Sequence, residues 1–360
     1  MTNKSTNRGP KLGTTLYSLT RDFHGRRITL EDAVRRVAEL GLGPGLEVVG
    51  FQSFRGWPRL TDEQIHGFRS LIDETGLVPA CIGGNADAGI RRDRLLTPDE
   101  LVSYMEAQIV AARQLNFPVV RVQYSVTPDD MERLLPIAER EDVKLGLEIH
   151  AHHSPRHPLV LALLERYEQL GSPHLGFIPD WGSSMRRLPP SRLEAGRRSG
   201  LPDSYIRRIE ESWLAQHELG PILDDEALPE MYRAAYQILE EEGVGAEGQP
   251  LARNSIGLFG HASPSDWELL APWTVHMHGK FFDIDETGDE PSVPVRDILR
   301  VFAESGYDGY ISSEWEGWHW NLTADPWDMV ARHQKLEQRV LDDLFAENAN
   351  AGSKASSGDH

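Results

Sequence analysis

Short apolar runs alternate with longer amphipathic segments along most of the chain. The first run covers residues 12–19, and the segment that starts at Thr29 keeps its apolar side chains on one helical face until Gly41 ends it. Seven further apolar runs follow, most with a helical pattern behind them, in segments 45–50, 77–84, 118–124, 143–150, 174–182, 274–282 and 306–317. Because strands that alternate with helices are typical of parallel sheets, the pattern predicts an α/β fold.

Eight strand–helix units favour a closed (β/α)8 TIM barrel over an open doubly wound sheet. The first unit contains no G-x-G-x-x-G motif, which argues against dinucleotide binding. We assign residues 11–346 to a single catalytic barrel domain. Residues 1–10 and 347–360 are small, polar and unpatterned, so we expect them to be disordered tails.

The spacing between the sixth and seventh runs is unusually long. About 90 residues separate them, where one unit needs roughly 30. Segment 183–250 is first basic and then helical in pattern, so we expect a helical insertion between strands 6 and 7. The insertion leaves the barrel at the strand end where active sites lie. It is therefore either a lid or partner-docking element, or an addition without a functional role.

Acidic and imidazole side chains occur at the C-terminal ends of four consecutive predicted strands. They are Glu148 with His150 and His152 on the same face, Asp180, His276 with His278, and Glu314. A barrel gathers these ends around one mouth, where three carboxylates would repel one another. We therefore expect one divalent metal ion with coordination positions left for substrate, with Mn²⁺ as the first choice and Mg²⁺, Co²⁺ or Zn²⁺ as alternatives.

Composition narrows the partners and the compartment. The 360 residues carry 37 Lys and Arg against 56 Asp and Glu, a formal net charge of −19, which disfavours nucleic acid as a partner. No run approaches the ~18 apolar residues of a membrane helix, and the polar N-terminus is unlike a signal peptide, so we expect no membrane association. Cys81 is the single cysteine, which rules out an intrachain disulfide, and we expect a cytoplasmic protein.

Four motifs, GLEIHAH, FIPDWG, VHMHGK and SSEWEG, occur in an order and spacing that resemble the xylose isomerase-like barrel superfamily of sugar isomerases, epimerases and inosose dehydratases. The resemblance covers residues 12 to about 345, apart from the insertion. The metal ligands that it implies are Glu148, Asp180, His278 and Glu314. His278 is chosen over His276 because it opens an H-x-K step, as in those families.

The sequence departs from several branches of that superfamily. Xylose isomerases carry a lysine beside the fifth-strand glutamate and extra acids for a second metal, and neither occurs near Glu148, which argues against an aldose–ketose hydride shift. The endonuclease branch needs histidines where this chain has Asn85 on the third strand and Gln123 and Tyr124 on the fourth. Ketose 3-epimerases have a histidine at the position of Ser183.

A closer similarity is to the large subunit of bacterial C-glycoside deglycosidases, which belong to the same superfamily. It rests on His150, two residues after the fifth-strand glutamate, on the long insertion and on the Trp-rich loop EWEGWHW. The resemblance implies cleavage of the carbon–carbon bond of a small-molecule substrate, a 3-oxo-C-glucoside, after loss of the proton α to the ketone. It also implies a small β-rich subunit as the partner in a hetero-oligomer.

Deprotonation α to a ketone requires a base near the metal. We expect His150 to be that base, with a hydrogen-bonding role behind the metal ligands as the alternative. Glu148 and Glu314 are the other catalytic candidates. If His150 is not the base, one of them is expected to be. Lys280 is expected to hold a substrate oxyanion or hydroxyl, unless it forms an ion pair with Asp283 or Glu314.

Other side chains are candidate substrate contacts. His276 faces the metal side of its strand, and Glu47 on the second strand can bind sugar hydroxyls. Trp315, together with Trp318 and Trp320, supplies flat apolar walls for an aryl aglycone, or else packs a lid.

Two other functions stay open. One is an isomerase or epimerase of a free keto-sugar or keto-inositol, which also passes through a metal-stabilised enediolate but needs a small polar pocket rather than a wide aromatic one. The other is a non-catalytic subunit with a structural metal site, which would have no open coordination position.

Overall fold

The structure is a computed structural model that describes residues 9–123 and 125–356. Its strands are β1 (Lys11–Thr15), β2 (Gly45–Val49), β3 (Val78–Gly83), β4 (Val119–Val122), β5 (Lys144–Ile149), β6 (Leu175–Pro179), β7 (Met277–Phe281) and β8 (Tyr310–Trp315). They form one parallel sheet in the order β6-β5-β4-β3-β2-β1-β8-β7. Bridges from Phe177 to Thr274 and from Asp180 to His278 bring the two edges together. The predicted (β/α)8 barrel is confirmed.

Helices follow the strands, as a TIM barrel requires. They are α1 (Thr20–His24), α2 (Leu30–Glu39), α3 (Gly50–Ser53), α4 (Asp62–Thr75), α5 (Pro98–Gln114), α6 (Pro128–Glu141), α7 (Pro158–Leu170), α8 (Pro190–Arg198), α9 (Asp203–Leu219), α10 (Leu228–Glu241), α11 (Gln249–Gly257), α12 (Val295–Glu304) and α13 (Pro326–Ser356). Thr61, Thr97 and Thr127 each form a capping box that fixes the first turn of the following helix.

Apolar side chains fill the barrel interior beneath the strand ends. Cys81, Val119 and Ile178 form a small buried cluster. A Cβ atom at Gly146 would lie 2.6 Å from Cγ1 of Ile178, so only glycine allows the strands to approach this closely.

The insertion between β6 and β7 is helical, as predicted. Its helices α8 to α11 run from Pro190 to Gly257, so they continue past residue 250, where we expected the insertion to end. Nε1 of Trp213 in α9 donates a 2.9 Å hydrogen bond to the carbonyl of Phe259, which lies on the segment that returns to the barrel. This bond and the packing of α9, α10 and α11 against one another make the insertion a small helical layer of its own.

The ends of the chain differ from each other. Helix α13 continues to Ser356, past residue 346, where we placed the end of the barrel domain. Residues 1–8 and 357–360 of the two expected tails lie outside the described residues, as does Tyr124. None of the helices in the described segments has both the length and the apolar content that crossing a membrane requires.

Candidate active site

A cavity of about 490 Å³ opens at the carboxyl ends of the barrel strands. The charged and imidazole side chains that line it are Glu47, Arg121, Glu148, His150, His152, His278, Lys280, Glu314 and Glu316. Phe51 from the barrel and Leu228 and Tyr232 from α10 give the cavity an apolar side. The insertion therefore reaches over the mouth of the barrel and forms part of the cavity wall.

The four predicted metal ligands lie together at this cavity. Each of them offers one ligand atom, and these atoms lie within 4.8 Å of one another. Nδ1 of His278 is 2.7 Å from Oε1 of Glu148 and 3.1 Å from Oε2 of Glu314. Asp180 joins them because the backbone bridge to His278 brings the end of β6 beside β7. The alternation of side chains along four strands thus produces one compact cluster.

The donor set of this cluster fits a divalent cation. Three carboxylates and one imidazole are buried together, and burial raises the pKa of Asp180 although the ammonium of Lys280 opposes that rise. Oδ2 of Asp180 lies 2.6 Å from Nζ of Lys280 and Oε2 of Glu314 lies 3.1 Å from Nδ1 of His278, but neither oxygen accepts a well-aligned hydrogen bond among the described residues. Buried carboxylate oxygens with incomplete hydrogen bonding are costly unless a cation coordinates them. The residues present therefore suit a metal site.

Glu47 fixes the orientation of the imidazole ligand. Nε2 of His278 lies 3.0 Å from Oε1 of Glu47 and donates to it, which leaves Nδ1 facing the other ligands. Although burial alone would lower the pKa of His278, the carboxylates of Glu47, Glu314 and Glu148 outweigh it and raise that pKa well above its usual value. A carboxylate behind a metal-ligating histidine is a common support of metal sites, because it sets the tautomer and makes the ligand more basic.

Lys280 forms ion pairs that differ from both predicted ones. Its Nζ lies 2.6 Å from Oδ2 of Asp180 and 2.8 Å from Oε2 of Glu316, rather than against Asp283 or Glu314. The prediction of a pair with one of the latter two is wrong, since Asp283 instead accepts a hydrogen bond from a backbone N–H at the start of α8. The carboxylates outweigh burial and raise the pKa of Lys280 well above its usual value, so it stays charged.

His150 occupies the edge of the cluster. Its Nδ1 lies 2.6 Å from the carbonyl oxygen of Ala151 and donates to it, so that Nε2 carries the lone pair. Nε2 is 4.0 Å from Oδ2 of Asp180, and the side chain lines the cavity. The imidazole thus has a free basic nitrogen directed toward the metal ligands.

Two of the predicted substrate contacts lie away from the cavity. His276 is 1% exposed, and its Nε2 lies 3.0 Å from both Oε2 of Glu47 and Oγ of Ser312, one layer deeper in the barrel. Trp315 is also 1% exposed, because it follows Glu314 on β8 and so points to the opposite face. Glu47 and Lys280 do line the cavity, as predicted.

The tryptophans of the loop after β8 pack against protein. Trp318 stacks on His319 at a ring-centroid distance of 3.8 Å. Trp320 stacks on Phe282 at 5.6 Å, and its Nε1 donates to Oγ of Ser191 in α8. These contacts agree with the lid-packing alternative, since they join the loop to the insertion.

Three residues of the site are absent from the sequence-based prediction. Glu316 pairs with Lys280, and the hydroxyl of Tyr17 donates to Oε1 of Glu316 at 3.1 Å. Arg121 lies with its guanidinium 3.7 Å from Oε2 of Glu148. Two of them carry a usable signal: Glu316 is two residues after Glu314, and Arg121 interrupts an otherwise apolar run. Tyr17 follows the first strand without any distinguishing pattern.

Comparison with known proteins agrees with this geometry. The alpha subunit of 3'-dehydrocarminate deglycosidase from a Microbacterium species is 50% identical over 338 residues, which cover 94% of this chain and 97% of that protein. The C-glycoside deglycosidase alpha subunit of Microbacterium trichothecenolyticum is 48% identical over 333 residues, 92% of this chain and 90% of that protein. No protein-family model matches the chain.

Solved structures support the same fold. An L-ribulose 3-epimerase superposes with a TM-score of 0.53 over 98% of this chain and 99% of its own, at 13% sequence identity. A likeness at this identity shows the fold alone, which is that of a (β/α)8 barrel. With sequence identity of 48 to 50% to curated relatives over almost the whole chain, this protein belongs to the family of C-glycoside deglycosidase alpha subunits.

Proposed function

We propose that this chain cleaves the carbon–carbon bond between sugar and aglycone in 3-oxo-C-glycosides, as a metal-dependent lyase. The observation that carries the proposal is the free Nε2 of His150, 4.0 Å from Asp180 at the edge of the four-ligand cluster. A base beside a cation is the arrangement needed to remove a proton α to a ketone. The names of the curated relatives support the choice of substrate.

The proposed cofactor is one divalent ion, with Mn²⁺ as the first choice because the donor set is rich in carboxylates. The residues that would hold it are Glu148, Asp180, His278 and Glu314. When bound, the ion supplies a Lewis acid for the sugar ketone and for the negative charge that develops beside it.

His150 performs the proton transfers in this proposal. Its Nε2 takes the proton from C2 of the sugar, while Nδ1–H stays on the carbonyl of Ala151 and the nearby charge of Asp180 stabilises the imidazolium. The electrons of the C2–H bond form a double bond between C1 and C2. The electrons of the C1–aglycone bond leave with the aglycone carbon, which takes up a proton. The products are the free aglycone and an unsaturated 3-oxo sugar.

Neighbouring side chains position the sugar and the ligands. Lys280 uses two of its three N–H donors on Asp180 and Glu316, which leaves one donor for a substrate hydroxyl. Glu47 has each carboxylate oxygen against a histidine, His276 or His278, so we propose that it and His276 position the metal ligand rather than bind sugar.

The apolar side of the cavity favours an aryl glycoside over a free keto-sugar. Phe51, Leu228 and Tyr232 lie on one side of a space of about 490 Å³, which is in the usual range for a drug-sized ligand. A free sugar has no apolar group to place there. These side chains, rather than Trp315, are therefore the proposed apolar contacts for the aglycone.

The site is open to the cavity, which argues against a purely structural metal. Glu148, His278 and Glu314 all line the space that substrate would enter. We further propose that a small second subunit completes the enzyme in a hetero-oligomer, as the word "alpha" in the relatives' names suggests. Phe51 at the cavity is 54% exposed, so an apolar group remains there for such a subunit to cover.

Chromatography of released aglycone tests the proposal. The chain, loaded with Mn²⁺ and co-expressed with its small partner, is incubated with a 3-oxo-C-glucoside and separately with a free ketose. We expect aglycone from the glycoside and no epimer from the ketose. Epimerisation of the ketose without aglycone release would favour the isomerase alternative. The Asp142→Asn variant, altered at an exposed carboxylate between α6 and β5, at the end of the barrel opposite the cavity, is the matched control.

A further inference from the structure

A second group of metal-binding side chains lies where the insertion meets the barrel. His152, His153 and His157 belong to the loop between β5 and α7, and Asp225 belongs to the short turn just before α10. Each offers one ligand atom, and these atoms lie within 4.8 Å of one another. We propose that this cluster binds a structural Zn²⁺ ion that joins the insertion to the barrel.

The geometry converges on Oδ1 of Asp225. Nε2 of His152 lies 2.7 Å from it, Nε2 of His157 lies 3.3 Å away and Nε2 of His153 lies 3.9 Å away. The imidazole rings also lie close together, with centroids 4.5 Å apart for His152 and His153 and 4.3 Å apart for His153 and His157. Three imidazole nitrogens and one carboxylate oxygen can form a tetrahedral set around one ion after small movements.

One ligand atom is buried without a well-formed hydrogen bond. Nε2 of His157 lies 3.3 Å from Oδ1 of Asp225, but it has no partner at good hydrogen-bonding geometry among the described residues, and the residue is only 3% exposed. Buried polar nitrogens normally have a hydrogen-bond partner. An ion bound between the three imidazoles and the carboxylate would supply the missing partner. Nδ1 of His157 accepts a long bond of 3.3 Å from the backbone N–H of Leu159. If zinc binds Nε2, the imidazole proton lies on Nδ1, which can then no longer accept the hydrogen bond from Leu159. Zinc binding therefore costs α7 this one weak hydrogen bond.

The donor set distinguishes this site from the catalytic cluster. With three neutral imidazoles and one carboxylate, a site that holds a divalent cation has a net charge of +1. With three carboxylates and one neutral imidazole, the net charge of such a site is −1. Nitrogen-rich tetrahedral sets favour Zn²⁺, and carboxylate-rich sets favour harder ions such as Mn²⁺ and Mg²⁺. The two clusters therefore select different metals.

Zinc at this position would hold the wall of the active site. Asp225 is three residues before Leu228 and seven before Tyr232, which both line the cavity, and His152 lines it from the other side. A metal bond across this contact ties α10 to the loop that follows His150. The insertion would then be fixed at Asp225 by a metal, where the His152–Asp225 hydrogen bond of 2.7 Å makes the contact in this structure.

Metal content in a background without the catalytic site tests the inference. The full chain with Glu148→Ala and Glu314→Ala is stripped with a chelator, reloaded with Zn²⁺, gel-filtered and analysed for zinc. We expect one equivalent per chain, lost when Asp225→Ala and His153→Ala are added. Asp225 is 54% exposed in its side chain, so its replacement leaves the fold intact. The matched control is Asp142→Ala, which removes a carboxylate 3.3 Å from the Nε2 of His174 elsewhere on the surface.

Two further measurements separate a real site from a simple hydrogen-bonded cluster. Co²⁺ in place of Zn²⁺ should give the intense visible bands of a tetrahedral site, absent after Asp225→Ala. Zinc should also slow proteolytic cutting in the segment 219–228 several-fold. Absence of zinc from the stripped and reloaded background variant, or zinc that persists after both added substitutions, would overturn the inference. Because the background lacks Glu148 and Glu314, two of the four proposed catalytic-site ligands, and the readout is zinc content, neither result depends on the proposed reaction.

Discussion

Glu47 and His278 form a hydrogen bond of 3.0 Å between Oε1 and Nε2 at the base of the candidate active site. Both residues are 2% exposed, so water cannot replace either partner. The bond turns Nδ1 of His278 toward Glu148 and Glu314. The orientation of one proposed metal ligand thus depends on a carboxylate that is outside the ligand set.

Replacing Glu47 should weaken metal binding without removing a ligand. In Glu47→Gln the group that accepts the hydrogen bond from Nε2 of His278 is a neutral amide instead of a carboxylate, which makes the imidazole a weaker ligand. We therefore expect the affinity for Mn²⁺ to fall about 10- to 100-fold. Isothermal titration of the metal-free protein measures this directly. The Asp142→Asn variant changes a carboxylate at the opposite end of the barrel, between α6 and β5, and should bind as the unmodified chain does. Equal affinities for all three proteins would remove Glu47 from the account.

The ligand set itself is tested by truncation. Glu148→Ala and Glu314→Ala each remove one carboxylate from a cluster of four ligands, so both variants should lose activity and most of the bound metal. Elemental analysis after gel filtration gives the metal content, and circular dichroism checks the fold. Full metal occupancy in both variants would contradict the assignment.

The insertion should become less stable in acid. Burial, followed by the nearby His217, lowers the pKa of His261 to about 3, and the His261 ring lies 4.7 Å from that of Trp213 in α9. The unfolded chain binds a proton on this side chain near pH 6.5, and the folded chain does not, so stability is lost as pH falls from about 6.5 toward 3. At pH 4.5 the loss is roughly 3 kcal/mol.

His261→Phe keeps a ring at this position and removes the titration. Urea unfolding at pH 7.5 and pH 4.5 gives the two free energies of unfolding for each protein. We expect the pH-dependent loss to be smaller in the variant by about 3 kcal/mol. The same pH-dependent loss in both proteins would show that His261 is protonated equally in the folded and unfolded states.

The proposed partner should matter for turnover rather than for folding. The chain expressed alone should fold and bind metal but be nearly inactive on aryl C-glycosides, because an open cavity admits water to the site. Co-expression with the small subunit should restore aglycone release. Size-exclusion chromatography with mass measurement follows the assembly. Full activity of the chain without any second subunit would refute the two-subunit proposal.

The repeating units and the four ligands could be predicted because both follow from local pattern. Apolar runs with helices behind them specify the barrel, and the barrel then brings strand ends together whatever their separation in sequence. Glu148, Asp180 and Glu314 lie at or just after the C-terminal ends of their strands, and His278 lies near the start of β7, between β6 and β8, so the topology makes the four neighbours. The length of the insertion was underestimated because α11 carries no strong end signal before Gly257.

The remaining contacts depend on how deep a side chain lies in the barrel and on the paths of the loops. The sequence pattern specifies neither. His276 just precedes β7 and His278 lies on it, but the first packs behind Glu47 and only the second reaches the cavity. Tyr17 reaches Glu316 across 299 positions, from a loop without any repeat. The histidines of the β5–α7 loop meet Asp225 only because the insertion folds back over the barrel.

The most direct test of the central claim is the loss of the C2 proton. A 3-oxo-C-glucoside is incubated in deuterated buffer with the metal-loaded chain and its partner, and proton magnetic resonance follows the C2 signal and the released aglycone. With His150→Ala, we predict that bound metal stays unchanged while both C2 proton loss and aglycone release fall at least 100-fold. Unchanged proton loss in this variant would contradict the account and move the base to Glu148, Glu314 or another residue.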